Sequence, residues 1–201
     1  RRSGGRASHP VVDITNYVLY ETGQPLHSFD VAKLSGKKIS VRLASEGEKF
    51  KALDEETYTL ESDDLVIADE SGPVALAGVM GGLDSGVSET TTELLLESAW
   101  FEPPHVRRTS RRLGLLSDSS YRFERRVDPE TVLKARDRAI QLLQEICNAE
   151  IAEAPVVAGE APTFDREIKL RIMRVGKLIG VGLPAEKINS WLTQLGLETV
   201  T

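Results

Sequence analysis

Cysteine, histidine and aromatic residues are scarce in this chain of 201 residues. Cys147 is the single cysteine. That excludes an internal disulfide and a multi-cysteine zinc site, and it fits a reducing compartment such as the cytoplasm. The three histidines, His9, His27 and His105, are too scattered in sequence to suggest a metal cluster, so no metal is expected. No apolar run approaches the ~18–20 residues that cross a bilayer, so no helical membrane span is expected. The G-x-S-x-G elbow, the G-x-x-x-x-G-K-[ST] phosphate loop, G-x-G-x-x-G and H-E-x-x-H are all missing. The first residue is not Met and no signal peptide is visible. The simplest expectation is a piece of a longer protein, with residues 1–8 as a lead-in that carries no function.

What is present reads as a soluble globular protein. Hydrophobic residues make up 40% and charged residues 28%, with a formal charge of -6. Val11, Ile14, Thr15, Val18 and Leu19 recur at helical spacing until Gly23 and Pro25 stop them. Ile39, Val41 and Leu43 alternate with polar neighbours as a half-buried strand does. Further strands are predicted over residues 57–60, 65–68, 74–79 and 93–100. A helix is predicted from Pro103 or Pro104 to Leu113, closed by Gly114. Another starts with Asp128 as cap and Pro129 at its first position; its apolar face is Val132, Ala135, Ala139, Leu142, Leu143, Ile146 and Cys147. Residues 152–163, rich in Ala, Pro, Glu and Gly, read as a linker. Beyond it come an alternating strand (Ile168, Leu170, Ile172), a short basic helix over residues 173–179, and a helix opened by Pro184 and ended by Gly196. The expected fold class is α+β, a mostly β core flanked by helices, followed by part of a second, helix-containing domain.

Several residues stand out chemically. Residues 105–126 hold Arg107, Arg108, Arg111, Arg112, Arg122, Arg125 and Arg126 against only Asp118 and Glu124, a local +5 on an acidic chain. Such a patch either contacts phosphates or pairs with nearby acids. The Gly-Val-Met-Gly-Gly run at 78–82 is read first as a tight turn needing φ > 0, and second as a backbone wall that lets a ligand approach. His27 is read first as a structural hydrogen-bonder, and Asn16 as a capping or surface amide. Glu97 lies in an apolar strand, sharing a face with Leu95 and Ala99. A carboxylate there is costly to bury alone. It either pairs with an arginine or awaits a ligand's hydroxyl or amine.

Seven blocks then appear in order: Val-Val-Asp-Ile-Thr-Asn-Tyr-Val (11–18), Gly-Gln-Pro-Leu-His-Ser-Phe-Asp (23–30), Leu-Val-Ile-Ala-Asp (65–69), Ala-Gly-Val-Met-Gly-Gly (77–82), Leu-Leu-Glu-Ser-Ala (95–99), Arg-Arg-Leu-Gly-Leu (111–115) and Tyr-Arg-Phe-Glu-Arg-Arg-Val-Asp-Pro (121–129). Together they resemble the B3/B4 region of bacterial phenylalanyl-tRNA synthetase β subunits, over residues 9–151. Residues 164–201 resemble the opening of the next module, B5, a winged-helix-like domain left incomplete here.

The resemblance implies an editing hydrolase that removes tyrosine wrongly esterified to the phenylalanine tRNA. The implied pocket falls on Asn16, His27 and Glu97, on Gly81 and Gly82, and on Ser117 and Ser119. Arg107, Arg108, Arg111 and Arg112 are the candidate tRNA contacts. The implied partners are the α subunit, in a heterotetramer of two α and two β chains, and tRNA(Phe). No cofactor is implied for this fragment; ATP and Mg belong to the whole synthetase. Three positions depart from the family pattern: Ser117 stands for the usual Thr, Ser119 for Ala, and Arg126 for Gly. Asn16, His27, Gly81 and Glu97 are retained. The competing expectation is a tRNA-binding and subunit-packing module whose editing is lost. A DNA-binding role for the C-terminal part ranks last, since it shows no recognition helix.

Overall fold

A computed structural model describes residues 8–152, 154–162 and 167–200; apart from Ser8, the expected lead-in lies outside the described residues. The chain divides into two compact units, Arg1–Ala161 and Pro162–Thr201. The α+β class is observed, with helices and antiparallel sheets together. The first unit holds helices α1 (Pro10–Thr22), α2 (Pro103–Leu113), α3 (Asp118–Phe123) and α4 (Thr131–Cys147). Its strands are β1 (Leu26–Asp30), β2 (Ser40–Leu43), β3 (Lys49–Lys51), β4 (Thr57–Thr59), β5 (Leu65–Ala68), β6 (Pro73–Leu76), β7 (Met80–Gly81) and β8 (Leu94–Ser98).

The helix α1 forms as its pattern predicts. Val11, Ile14, Thr15, Val18 and Leu19 are buried, and Gly23 at φ +79° closes the helix by donating its N–H to the Leu19 carbonyl at 2.8 Å. Its apolar stripe packs on Ala135, Ala139 and Leu143 of α4. Alanines at that seam let the two helices approach closely. The expected apolar face of α4 is shorter than predicted, because Ile146 and Cys147 in its last turn are exposed. Asp128 does not cap this helix. It accepts the Glu130 N–H in a turn that precedes Thr131, so Pro129 sits in the turn instead of the first helical position.

The sheets are all antiparallel, in the orders β2-β5-β6-β7, β3-β4 and β1-β8. The strand predicted over residues 74–79 ends at Leu76. Gly78 at φ +69° then turns the chain, with the Val79 N–H donating to the Leu76 carbonyl at 3.0 Å, and β7 returns. The β1-β8 ribbon separates two apolar clusters. Phe29, Leu95 and Ala99 face a core built on Phe50, Leu60, Ile67 and Leu76. Leu26, Leu94 and Leu96 face the α1–α4 seam. The period-2 alternation of the two strands sorts their side chains between these cores.

The second unit contains α5 (Ile172–Ile179) and α6 (Ala185–Gln194). The strand predicted over residues 168–172 is absent. Ile168 and Leu170 are exposed without a pairing strand among the described residues, and Ile172 already begins the helix. Two helices alone do not define a winged helix.

Arg126, where the resembled family carries Gly, adopts φ +72°. A side chain there meets its own backbone, and a β-branched one most of all. Arg126→Val is expected to be less stable than Arg126→Gly by about 1–2 kcal/mol. Equal denaturation midpoints for the two variants would contradict this.

Candidate functional site

The ribbon register sets His27 directly opposite Glu97. Residues opposite one another in an antiparallel pair share a face, with Cα atoms ~4.5–5.5 Å apart. Both side chains therefore point toward the larger core. They end at a small cavity of about 60 Å³. His27, Glu97, Gly81 and Ser119 line it, and Leu26, Met80 and Phe123 supply apolar wall.

Among the described residues, neither titratable side chain has a hydrogen-bond or ion-pair partner. His27 Nε2 is buried and makes no hydrogen bond. The expected alternative for Glu97, a salt bridge to an arginine, is not formed: no described cation lies within 4.0 Å of it. Phe29 holds the imidazole edge-on, with ring centroids 4.6 Å apart. Burial pulls the His27 imidazole down to about 4 and pushes the Glu97 carboxyl up to about 7. Desolvation penalises the charged form of each. At neutral pH the site thus holds an uncharged imidazole beside a carboxyl near its midpoint. Such a pair can donate and accept hydrogen bonds at one point inside an apolar wall.

The glycine run has three separate jobs. Gly78 makes the turn. Gly81 clears space for the imidazole: a Cβ there would stand 2.6 Å from His27 Cε1 and 3.0 Å from Leu53 Cδ1. Gly82 clears space for the sheet, since its Cβ would meet the Val74 carbonyl at 2.5 Å. Gly82 does not line the cavity, and its N–H already donates to Val74 O at 2.8 Å. That N–H is therefore not available to a ligand.

Ser117 also lies behind the wall. Its hydroxyl caps α3 in a reciprocal capping box with Ser120 and donates to the Val79 carbonyl at 2.7 Å. It ties the helix to the turn that carries the glycines. Ser119, two residues on, lines the cavity, and its hydroxyl has no hydrogen-bond partner among the described residues. Asn16 is exposed on α1 and does not line the cavity.

The arginines of α2 divide evenly. Arg108 pairs with Asp63, and Arg112 with Asp64 and, at 3.3 Å, Glu61. Arg107 and Arg111 are exposed on the same helix.

Two residues escaped the sequence reading. Gln24 is fully buried and donates to the Ala99 and Pro25 carbonyls at 2.8 and 3.0 Å, fastening the ends of β1 and β8 together. Its signal is a buried amide beside a proline. Leu53 sits against Gly81 from the β3-β4 hairpin, and no local pattern marks it. Among the described residues no group of three His, Cys, Asp or Glu side chains is set to hold a metal, and no helix is long and apolar enough to cross a membrane.

Comparison with known proteins places the chain in a family. Residues 1–148 match the B3/4 domain, and the chain belongs to that family. The chain is 48% identical over 203 residues to the phenylalanine–tRNA ligase β subunit of Shewanella oneidensis, covering all of this chain and 25% of that protein. It is 44% identical over 196 residues to the β subunit of Syntrophus aciditrophicus, covering 97% of this chain and 24% of the other. It is 45% identical over 198 residues to that of Geobacter sulfurreducens, covering 98% and 25%. The chain thus spans about a quarter of the length of the relatives it matches.

Gly81→Ala is expected to lose about 1–3 kcal/mol of stability by displacing the imidazole, whereas Gly86→Ala, whose Cβ would meet only Leu53 at 3.9 Å, is expected to be nearly neutral. Matching urea midpoints for the two would refute the cradle.

Glu97 also fixes a pH dependence. Its folded pKa is raised, so its carboxyl favours the fold below the ordinary value of 4.5. That contribution is lost as pH rises toward about 7. Glu97→Gln is therefore expected to be more stable than the parent at pH 8, by roughly 1–3 kcal/mol, with the gap closing below about pH 4.5. A gap that does not change with pH would contradict the assignment.

Proposed function

We propose that this chain is the editing module of a phenylalanine–tRNA ligase β subunit, and that it hydrolyses tyrosine from mischarged tRNA(Phe). The observation that carries the reading is the His27–Glu97 pair, two unpartnered polar groups facing one cavity in a chain of the B3/4 family. Tyrosine and phenylalanine differ by one hydroxyl. A site that offers hydrogen bonds to that hydroxyl is left unpaired when phenylalanine enters, which disfavours phenylalanine by roughly 1–3 kcal/mol or more.

The shared register supports one task for both groups. Glu97 accepts the phenolic O–H, and its neighbour His27 contacts the same oxygen through Nε2. Water then attacks the ester carbonyl. The carbon–oxygen bond to the ribose breaks, and the ribose oxygen leaves with a proton that originates from the water. Positioning of that water and stabilisation of the developing oxyanion supply most of the acceleration. With the Gly82 N–H committed elsewhere, Ser119 Oγ on the cavity wall supplies a donor. Asn16, outside the cavity, is left to hold the nucleotide side of the ester.

Around this site the reading assigns a cytoplasmic synthetase with an α subunit, two of each chain per assembly. ATP and Mg would serve amino-acid activation elsewhere in that assembly. Arg107 and Arg111 are the phosphate contacts on α2; Arg108 and Arg112 hold the helix to the Glu61–Asp64 turn.

The test is the release of tyrosine from Tyr-tRNA(Phe) by the full α/β enzyme. The parent is expected to hydrolyse the ester, and Glu97→Ala to lose roughly 10- to 100-fold of its tyrosine-over-phenylalanine preference. Release no faster than in buffer would leave the module a binding and packing element.

A further inference from the structure

Three of the chain's four tyrosines lie on one surface outside the cavity. Tyr17 and Tyr20 are on α1 and Tyr121 is on α3, each about half exposed. An arginine sits over each ring. Arg125 lies 3.7 Å from the Tyr121 centroid, Arg122 5.5 Å from that of Tyr20, and Arg138 5.9 Å from that of Tyr17. Every one of these arginines is also held by an acid: Arg122 by Asp118 at 2.9 Å, Arg125 by Glu124, and Arg138 by Glu21 at 2.8 Å. Each guanidinium is thus shared between a ring and an acid, and the local charge is balanced. The surface offers π faces more than a positive field.

One link ties this surface to the cavity wall. Tyr20 Oη donates to Asp118 at 3.2 Å, and the next residue, Ser119, lines the cavity wall. Asn16 lies one helical turn before Tyr20, also exposed. A cavity of about 60 Å³ accepts only the tip of a ligand. The remainder has to cross the surface at its mouth. Exposed rings backed by arginine are what unpaired bases stack on, whereas duplexes are held mainly through phosphate charge.

We propose that Tyr20 and Tyr121, backed by Arg122 and Arg125, form a stacking platform for the unpaired bases of an RNA 3′ end whose esterified aminoacyl group points its tip into the cavity past Ser119. The proposal rests on the hydrolytic reading above for the ester, but the platform can be tested separately.

The test uses the full-length enzyme that carries this chain. Its probes are a fluorescent single-stranded RNA pentamer, the blunt duplex of the same length, and Tyr-tRNA(Phe). Tyr20→Leu and Tyr121→Leu are expected to weaken single-strand binding roughly tenfold each. They raise KM for ester hydrolysis and leave kcat near that of the parent. Duplex binding and the salt dependence stay unchanged. Tyr20→Phe and Tyr121→Phe, which keep the ring, retain binding and also control for folding.

Glu97→Ala separates the two readings: it abolishes hydroxyl discrimination and leaves pentamer binding intact. If the parent hydrolyses nothing yet the leucine variants lose the pentamer, the platform stands and the hydrolytic reading falls. If the leucine variants bind and react like the parent, the platform is overturned and hydrolysis stands. If they keep RNA binding but dissociate from the α subunit in sedimentation velocity, the surface is a protein contact and the proposal is wrong.

Discussion

The pairing of β1 with β8 joins two strands sixty-odd residues apart in sequence, and every feature of the site depends on its register. A slip by one residue would turn His27 and Glu97 toward the α1–α4 seam and move Leu94 and Leu96 to the side of the larger core. Three contacts resist that slip. Phe29 and Leu95 are opposed on the side of the larger core. Leu26, Leu94 and Leu96 fill the smaller one. Gln24 binds the two strand ends with its amide. The apolar side chains hold two polar groups in a place that neither would occupy on its own.

The wall opposite the ribbon follows from backbone geometry more than from side chains. Gly81 and Gly82 are needed because an imidazole and a carbonyl occupy the space a Cβ would take. Ser117 fastens α3 to the turn between β6 and β7 and so fixes where Ser119 stands. Two of the departures from the family pattern therefore differ in consequence. A serine at 117 keeps the hydroxyl that the brace requires. A serine at 119 adds a donor inside the cavity itself.

Much of this was legible in the sequence. The periodicity of α1, the glycine that ends it, the apolar strand around Glu97 and the turn at Gly78 all act locally, and local patterns carry them. The site strand β1 was not predicted, because Leu-His-Ser-Phe-Asp alternates weakly and owes its form to β8. The arginines could not be sorted, since pairing of Arg108 and Arg112 with the turn at residues 61–64 is a tertiary fact. Likewise the alternation at Ile168 and Leu170 predicted a strand that has no partner among the described residues. His27 read as a structural histidine, and its unsatisfied Nε2 appears only once Gly81 and Phe29 enclose the ring.

The central claim is that His27 and Glu97 face the cavity side by side, desolvated and without partners. A site-resolved NMR titration of the His27 imidazole and the Glu97 carboxyl tests it most directly. The account predicts midpoints near 4 for the imidazole and near 7 for the carboxyl. Ordinary midpoints, near 6.5 and 4.5, would show both groups hydrated or paired and would contradict it.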